Sequence, residues 1–311
     1  MRLKPHLIHV VSPLGRGGLS VWLNDMISYL PEYSHTILSI ESPHGVKTDE
    51  EAGMVATGLG IDVVYTSMDQ VDGYRQRMGA MDYSCMIIYD VKGPLSVTTL
   101  KPSIYVGYHH YNKQIQVRRR AVVEFNKGLP PEIAVLGEMV PFHETAGKVR
   151  GPRTTPTYSI GMFMGPTDYD EKLLTRFVNE APEDWTLFVS TLGTYDHAKT
   201  IESLKRRFDA GRGYPCRMKG GSILKYLDQV DVCVTPNKGF CSRCDMETVA
   251  YMKPLIQMST VPDTIQQLKD LQLDVAARHQ VIRDNSRVVK RHDARFKIVN
   301  MKQLLKECLY E

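Results

Sequence analysis

The sequence predicts an α/β protein of two consecutive domains, each built around a parallel β-sheet. Short apolar runs alternate with amphipathic segments from His6 to Leu136, and the same alternation starts again at Tyr158. Between the two series lies Pro141 to Pro156, which is rich in Pro, Gly, Thr and charged residues and has the composition of a linker. Regular strand–helix alternation produces parallel sheets with helical crossovers. We therefore predict two facing Rossmann-like domains, residues 1–145 and 146–311, with a cleft between them.

The first domain is predicted to contain a series of short strands and one well-defined helix. Each strand is a brief run of mostly apolar or β-branched residues. The predicted strands are His6 to Val11, His35 to Ile40, Asp62 to Tyr65, Cys85 to Tyr89, Ile104 to Tyr108 and Ile133 to Leu136. The first helix, Leu19 to Leu30, follows the first strand after a glycine-rich turn.

The second domain repeats this arrangement on a smaller scale. Its predicted strands are Tyr158 to Met162, Thr186 to Ser190, Val232 to Val234 and Leu255 to Met258. Its predicted helices are Tyr169 to Asn179, Ile201 to Phe208, Ser222 to Gln229 and a short one that opens near Asp245. The last strand follows that short helix after a Lys-Pro stop.

Composition narrows the class of protein. Charged residues make up 24% of the 311 and apolar residues 42%, as in ordinary soluble globular proteins. The net charge of +4 is too small to indicate a nucleic-acid partner by itself. No apolar run approaches the roughly 20 residues that span a bilayer, so no stable membrane insertion is expected. The six cysteines lack the spacing of a secreted disulfide framework, so we predict a cytoplasmic protein with reduced thiols. Composition leaves the oligomeric state open.

The segment Val230 to Met258 carries the most specific signal. Glu247 falls in the first turns of a helix that follows the carboxyl end of a strand, which is where ligands bind in open α/β sheets. The segment resembles the donor-sugar loop of GT-B glycosyltransferases, especially the retaining family 4 group. The matching positions are Asp231, Pro236, Gly239, Phe240, Glu247, Ala250, Lys253, Pro254 and Ile256. The spacing from Glu247 to Lys253-Pro254 is the same as in that family.

This resemblance implies a set of residues that bind the donor, a nucleotide diphosphate sugar. Glu247 would accept hydrogen bonds from a ribose diol; the alternative is a solvent-facing carboxylate that the helix dipole favours. The phosphates would be held by free loop amides and by cations. The donor-binding set is Gly17, Lys219, Lys238, Gly239, Phe240, Cys241, Ser242, Arg243 and Glu247.

The chain also departs from the family pattern. Lys238-Gly239 stands where the family has its first glutamate, and the basic pair that follows the linker is absent around Gly161 to Gly165. A leaving diphosphate needs positive charge, so Lys219, Lys238, Arg243 and Arg217 are the candidate replacements. A divergent or inactive site is the alternative.

Two features of the first domain point to the same chemistry. Arg16, Gly17 and Gly18 belong to a glycine-rich turn between the first strand and first helix, and this turn resembles the GG loop of the family; a plain tight turn is the alternative. His109 and His110 follow the fifth strand, where a histidine can bind a sugar hydroxyl or move a proton. We assign His110, His109 and Gly18 to the reaction centre; a pair of surface histidines is the alternative.

A zinc site is not expected at Cys241-Ser242-Arg243-Cys244. A structural zinc ion needs four ligands, and no second pair of cysteines or histidines lies at a suitable spacing. No metal or cofactor is expected beyond the donor.

Arg118, Arg119 and Arg120, with Lys113 upstream, form a basic run that is usually a solvated helix face. The surrounding segment also resembles, loosely, phage α-glucosyltransferases that act on hydroxymethylated pyrimidines in DNA. That resemblance implies an acceptor surface of Arg16, Lys113 and the three arginines, since phosphate contacts dominate DNA affinity. It would also place the protein in the host cytoplasm.

The sequence therefore predicts a glycosyltransferase that moves a hexose from UDP-glucose, or a related donor, to a hydroxyl, and the resemblance to the retaining family implies that the anomeric configuration is retained. The preferred acceptor is a hydroxymethylated pyrimidine in DNA. A polysaccharide or glycolipid glycosyltransferase is one alternative, and a non-catalytic binder of nucleotide sugars or nucleic acid is the other.

Overall fold

A computed structural model describes most of the regular structure of the chain. The described residues are 4–11, 18–41, 53, 56–67, 82–89, 102–107, 117–123, 130, 133–137, 139, 158–163, 171–190, 205, 207, 209–216, 223–236 and 243–310. The chain divides into two compact units. Unit 1 comprises Met1–Met139 and His292–Glu311, and unit 2 comprises Val140–Arg291.

Unit 1 is built on a parallel sheet whose strands are ordered β3-β2-β1-β4-β5-β6-β7. The strands are β1 (His6–Val11), β2 (Ser34–Glu41), β3 (Asp62–Ser67), β4 (Cys85–Tyr89), β5 (Ser103–Gly107), β6 (Arg119–Val122) and β7 (Ala134–Val135). The order reverses between β1 and β4, where Leu7 lies opposite Cys85 and Val10 opposite Ile88. This is the doubly wound arrangement, and ligands bind beyond the carboxyl ends of its two central strands.

The central strands of unit 1 are buried on both faces, because side chains alternate across a strand. Leu7 and Val11 point into one apolar cluster, whereas Ile8 and Val10 point into another. The first cluster is covered by helix α1 (Gly18–Ser28) and by the last helix of the chain, named α7 below. The residues that these two helices bury there are Trp22, Leu23, Met26, Ile27, Ala294, Ile298, Met301, Leu304, Leu305 and Cys308.

Unit 2 repeats the same winding with a parallel sheet ordered β10-β9-β8-β11-β12. Its strands are β8 (Ser159–Met162), β9 (Thr186–Ser190), β10 (Gly213–Cys216), β11 (Val232–Thr235) and β12 (Leu255–Gln257). The remaining helices are α2 (Glu171–Glu180), α3 (Leu224–Leu227), α4 (Arg243–Ala250), α5 (Val261–Leu273), α6 (Val275–Val289) and, in unit 1, α7 (Ala294–Tyr310). A 3₁₀ turn, Lys290–His292, links α6 to α7.

The predicted fold class, two α/β units with parallel sheets, is confirmed. Strands β1, β4 and β9 have the predicted bounds, and most other predicted elements agree within two residues. The predicted linker, residues 141–156, lies outside the described residues. The predicted helix over residues 201–208 falls largely outside them as well, although Lys205 and Arg207 are helical.

Two expectations differ from the structure. We predicted everything after residue 145 in the second domain, whereas residues 292–311 cluster with unit 1. The reason is that the apolar face of α7 is buried in the core of that unit. The second difference concerns Arg118 to Arg120, which the sequence predicted on a helix face: Arg119 and Arg120 lie in strand β6, and Arg118 immediately precedes it.

Candidate functional site

The candidate donor site lies at the point where the strand order of unit 2 reverses. There β11 runs beside β8, with Val232 opposite Ile160 and Cys233 opposite Gly161. The chain leaves the carboxyl end of β11 after Thr235, and α4 begins at Arg243. A helix that starts just beyond a central strand of a doubly wound sheet directs its amino-terminal N–H groups toward the ligand-binding edge. The order of strand, loop and helix agrees with the prediction from the sequence, and donor binding at this place stays a prediction.

Glu247 and Arg243 form a buried ion pair within α4. Arg243 Nε donates to Glu247 Oε1 over 2.9 Å, and the two side chains are only 9% and 5% exposed. The other carboxylate oxygen, Oε2, accepts from the backbone N–H of Ile223 over 3.3 Å. Ile223 directly precedes α3, so one carboxylate joins α4 to the segment that leads into α3.

This geometry gives Glu247 a structural role that the sequence did not show. The solvent-facing carboxylate weighed from the sequence is wrong, because the side chain is buried and hydrogen-bonded. Removing one member of a buried pair leaves an uncompensated charge, which typically costs about 3–5 kcal/mol. Each carboxylate oxygen accepts more than one hydrogen bond, so the predicted contact with a ribose diol stays a prediction alongside this structural role.

Other residues that carry the family resemblance hold the backbone together. Asp231 Oδ2 accepts from Ser159 N over 2.9 Å, and Asp231 N donates to Ser159 O over 2.8 Å, so Asp231 joins the amino ends of β8 and β11. Lys253 Nζ donates to Val230 O over 2.7 Å. Both contacts lie on the amino-terminal side of β11, away from the edge where ligands bind. These two residues therefore set the sheet register and position α4.

Close packing explains why a glycine occupies position 161, and the sequence alone did not show this. It lies in β8 opposite Cys233, and a Cβ at this position would come within 2.5 Å of Phe163 Cε2 and 3.1 Å of Cys233 Sγ. The glycine thus lets the ring of Phe163 lie against the strand next to the candidate site.

Cys244 lies in the first turn of α4 but does not have the properties of a metal ligand. It is buried, and burial together with the nearby Glu247 carboxylate raises the pKa of its thiol well above the ordinary value. A metal binds the thiolate, which this environment disfavours. Within the described part of the chain, no group of three or more His, Cys, Asp or Glu side chains is placed to hold a metal ion.

The structure brings together two of the predicted donor residues, Arg243 and Glu247. Gly18 was predicted in the glycine-rich turn that precedes the first helix; in the structure it is the first residue of α1 and is half-buried. Apart from Arg118, Arg119 and Arg120, the other predicted site residues lie outside the described residues: Arg16, Gly17, His109, His110, Lys113, Lys219, Lys238, Gly239, Phe240, Cys241 and Ser242.

The arginine run contacts the last helix of unit 1. Arg118 Nη1 donates to the carbonyl of Cys308 over 2.9 Å, and Arg119 Nε lies 3.7 Å from Glu307 Oε2. Both partners belong to the final turns of α7, where a cation is favoured by the helix dipole. Two of the three arginines therefore help to hold α7 against the edge of the unit 1 sheet.

A polar network in the core of unit 1 was missed from the sequence. His9 Nε2 lies 3.0 Å from His35 Nδ1, His9 Nδ1 lies 3.0 Å from the Tyr89 hydroxyl, and His35 Nε2 lies 3.0 Å from Leu30 O. A carbonyl only accepts, so His35 Nε2 carries a proton and donates to Leu30. In the neutral ring His35 Nδ1 then accepts from His9 Nε2, and Tyr89 donates to His9 Nδ1.

Burial sets the protonation state of this network. His9 is fully buried, and burial, with a further contribution from His35, lowers its pKa well below the ordinary value. Burial also lowers the pKa of His35. One signal was present in the sequence: His9 interrupts an apolar strand at a position that shares a face with Leu7 and Val11. Its partners are remote in sequence and could not be identified.

Known structures share this architecture over nearly its whole length. HepE from Anabaena, solved in complex with UDP, matches with a TM-score of 0.68 at 11% identity over 97% of this chain and 100% of that one. The fold is that of the GT-B glycosyltransferases. HepE structures with the same TM-score contain UDP with glucose, or UDP-glucose. No protein-family model and no curated protein sequence matches this chain.

Two further GT-B-like matches differ in their named activity. The lipopolysaccharide outer core galactosyltransferase WaaB matches with a TM-score of 0.54 at 13% identity, over 96% of this chain and 98% of that one. A Listeria monocytogenes protein described as a UDP-N-acetylglucosamine 2-epimerase matches with a TM-score of 0.57 at 10% identity, over 90% and 91%. At these identities the comparisons establish the fold, and one GT-B-like fold accommodates more than one reaction.

Proposed function

We propose that this protein binds a nucleotide diphosphate sugar through unit 2 and transfers its hexose to a hydroxyl group. The observation that carries the proposal is the buried Arg243–Glu247 pair in α4, which begins beyond the carboxyl end of the central strand β11. This site lies in a fold that matches HepE, solved with UDP and UDP-glucose, over nearly its whole length. UDP-glucose is accordingly the proposed donor.

Glu247 and Arg243 would bind different parts of the donor. Glu247 would accept hydrogen bonds from a ribose diol, because a carboxylate oxygen can accept more than one. Arg243 would offer its guanidinium to the diphosphate, on which negative charge develops as the sugar leaves. The amino terminus of α4 favours the same anion. Lys219 and Lys238, with loop amides from Gly239 to Ser242, stay the predicted additional phosphate contacts.

On the acceptor side, Gly17, Gly18, His109 and His110 stay the predicted residues of the reaction centre. Retention of the anomeric configuration is a prediction from the family resemblance. Unit 1 would present the acceptor hydroxyl, and a histidine there would move its proton.

The identity of the acceptor is the finer part of the proposal. A hydroxymethylated pyrimidine in DNA would need cationic surface, yet Arg118 and Arg119 contact the last turns of α7. The similarity of the fold to WaaB favours the alternative, a saccharide or glycolipid acceptor. Both acceptors enter the test below.

Donor binding is tested first, by titration calorimetry with UDP and UDP-glucose. Replacing Glu247 with alanine is expected to weaken binding by about 1–3 kcal/mol, because charge-assisted hydrogen bonds to the ribose are lost. Glu247→Gln keeps an acceptor for Ile223 and removes the charge, so it separates the binding role from the structural one. Unfolding curves of both variants report the structural role independently.

The chain offers a matched control in α2. Arg176 Nε and Glu180 Oε1 form an i,i+4 pair of the same kind at 2.6 Å, but with side chains 61% and 42% exposed. Glu180→Ala is expected to leave the affinity for UDP unchanged. Equal affinities for wild type, Glu247→Ala and Glu247→Gln would reject the donor role of Glu247.

Turnover is tested by measuring released UDP with each acceptor class. Activity only with hydroxymethylated DNA, or only with an oligosaccharide or glycolipid, identifies the acceptor. Conversion of the donor sugar without transfer, followed by NMR, would indicate an epimerase, which the Listeria match makes a specific alternative. UDP binding without any turnover would indicate a non-catalytic binder.

A further inference from the structure

Two cysteines remote in sequence meet in the core of unit 1. Cys85 is the first residue of β4 and Cys308 lies in the last turn of α7, 223 residues later; their sulfur atoms are 3.9 Å apart. Both thiols are free and neither residue is exposed. A disulfide has an S–S bond of about 2.05 Å, so the sulfurs need to approach by roughly 2 Å, within the reach of a side-chain rotation and a small shift of the helix end.

The surroundings shift the pKa values of the two thiols in opposite directions. The sulfur–sulfur hydrogen bond between Cys308 and Cys85, together with the positive charges of Arg118 and Arg119, lowers the pKa of Cys308. The same hydrogen bond and burial raise the pKa of Cys85. Arg118 is held in place by its hydrogen bond to the Cys308 carbonyl. Cys308 therefore ionises more readily than Cys85 to the thiolate, the nucleophilic form.

The last turn of α7 gives a route for an oxidant. Tyr310 is 74% exposed and the Glu307 side chain is 32% exposed, so two residues of the turn that contains Cys308 reach solvent. The terminal turn of a helix opens more readily than its middle. A local opening there uncovers Cys308 while Cys85 stays within the sheet.

We propose that Cys85 and Cys308 form a reversible disulfide site that a hydroperoxide oxidises and a thiol reductant restores. The Cys308 thiolate attacks one peroxide oxygen and breaks the O–O bond, which gives a sulfenic acid and releases hydroxide. The Cys85 sulfur then attacks the Cys308 sulfur; the S–S bond forms and water leaves with the Cys85 proton. The hydroxide takes up the proton that Cys308 released to solvent on ionising, so with hydrogen peroxide two thiols and one peroxide give one disulfide and two waters.

The bond would lock α7 onto β4. The last helix reaches unit 1 after the chain has passed through unit 2, and its apolar face is part of the unit 1 core. Oxidation would keep the final turn of α7 closed and is independent of the proposed donor site.

The test uses the full chain, reduced, freed of reductant and treated with a small excess of hydrogen peroxide. After alkylation and proteolysis, mass spectrometry is expected to find the Cys85 peptide joined to the Cys308 peptide, with the link lost in dithiothreitol. In Cys85→Ser the reaction is expected to stop at a sulfenic acid on Cys308, trapped by dimedone. In Cys308→Ser, Cys85 is expected to stay reduced.

Amide hydrogen exchange supplies a second readout on the wild-type protein. Exchange in the last turn of α7 is expected to slow about tenfold or more on oxidation, since opening that turn would require breaking the new bond. Absence of the Cys85–Cys308 link while other cysteines are oxidised, a sulfenic acid on Cys85 in Cys308→Ser, or unchanged exchange after oxidation would each overturn the proposal.

Discussion

At the scale of single residues, the network of His9, His35 and Tyr89 shows how a polar group is retained inside an apolar sheet. Each ring nitrogen of the two histidines lies within 3.0 Å of a partner atom. Aromatic contacts add to this, with the His9 and His35 rings stacked at 5.2 Å between centroids. A buried polar group that keeps its hydrogen bonds costs little, whereas one that loses a partner costs about 1–3 kcal/mol.

We expect the stability of unit 1 to fall as the pH is lowered. The folded-state pKa of His9 lies below the ordinary value of the unfolded chain, so at pH values below about 6.5 the unfolded chain binds more protons. The contribution of neutral His9 to the free energy of unfolding is therefore fully present above about pH 6.5. It declines as the pH falls toward the folded-state pKa, by up to about 1.4 kcal/mol per pH unit. His35 acts in the same direction, since its pKa is lowered too.

The measurement is urea unfolding of wild type and His9→Gln over a series of buffers from about pH 7.5 to 5.5. The variant is expected to be less stable at neutral pH but to depend less on pH. Two curves with equal slopes would show that His9 does not titrate as the geometry requires.

At the scale of elements, the carboxyl end of α4 combines a favourable hydrogen-bond pattern with an unfavourable residue. Met252 N donates to Val249 O and Lys253 N donates to Thr248 O, which is the Schellman pattern of helix termination. The pattern needs a left-handed residue, and Met252 has a φ of 58°. Glycine is the usual residue at this place, because a Cβ there crowds the backbone.

Met252→Gly is expected to be more stable than Met252→Ala by about 1 kcal/mol, since both remove the side chain but only glycine removes the crowding of the Cβ. Relative to wild type, the glycine variant also loses the contact between Met252 Sδ and Ser286 Oγ at 3.6 Å. Thermal unfolding of the three proteins separates these effects. Alanine and glycine variants of equal stability would mean that the left-handed backbone is not strained.

Helices α5 and α6 show the opposite case, in which local sequence and structure agree. The Thr260 side chain accepts from Asp263 N at the start of α5, and Asp274 accepts from Ala276 N and Ala277 N at the start of α6. Capping of this kind typically contributes about 1 kcal/mol.

Among the helices described, none is long and apolar enough to cross a membrane.

At the scale of the whole molecule, the chain contributes to unit 1 from two remote segments. Residues 292–311 return to this unit after unit 2 is complete. Leu305, close to the end of α7, is fully buried in the same cluster as Leu7 of β1. The stability of unit 1 therefore depends on residues that a division at residue 145 would assign elsewhere.

Leu305→Ala is expected to destabilise unit 1 by about 2–5 kcal/mol, the usual cost of a core leucine. Leu187, in β9 and equally buried, is the matched position in the core of unit 2. Hydrogen exchange is expected to accelerate most in β1, β4 and β5 for Leu305→Ala, and most in β8, β9 and β11 for Leu187→Ala. If Leu305→Ala affected the unit 2 strands most, the division into units would be wrong.

The sequence by itself determined where most strands and helices lie along the chain. Apolar runs bounded by turn residues predicted β1, β4 and β9 residue for residue, because strand periodicity and turn chemistry are properties of neighbouring residues. The same local patterns located the strand–loop–helix segment that holds Arg243 and Glu247. Strand β6 was not predicted from the sequence, and the cause is local too. Its two arginines gave the segment the charge pattern of a solvated helix face.

Only the tertiary structure decided which remote residues meet. That Glu247 joins α4 to the segment before α3, that Arg118 holds α7, and that Cys85 lies beside Cys308 all depend on how strands are ordered and where the last helix packs. Such contacts arise from burial of apolar surface summed over a whole unit, and that sum has no signature in any short stretch of sequence.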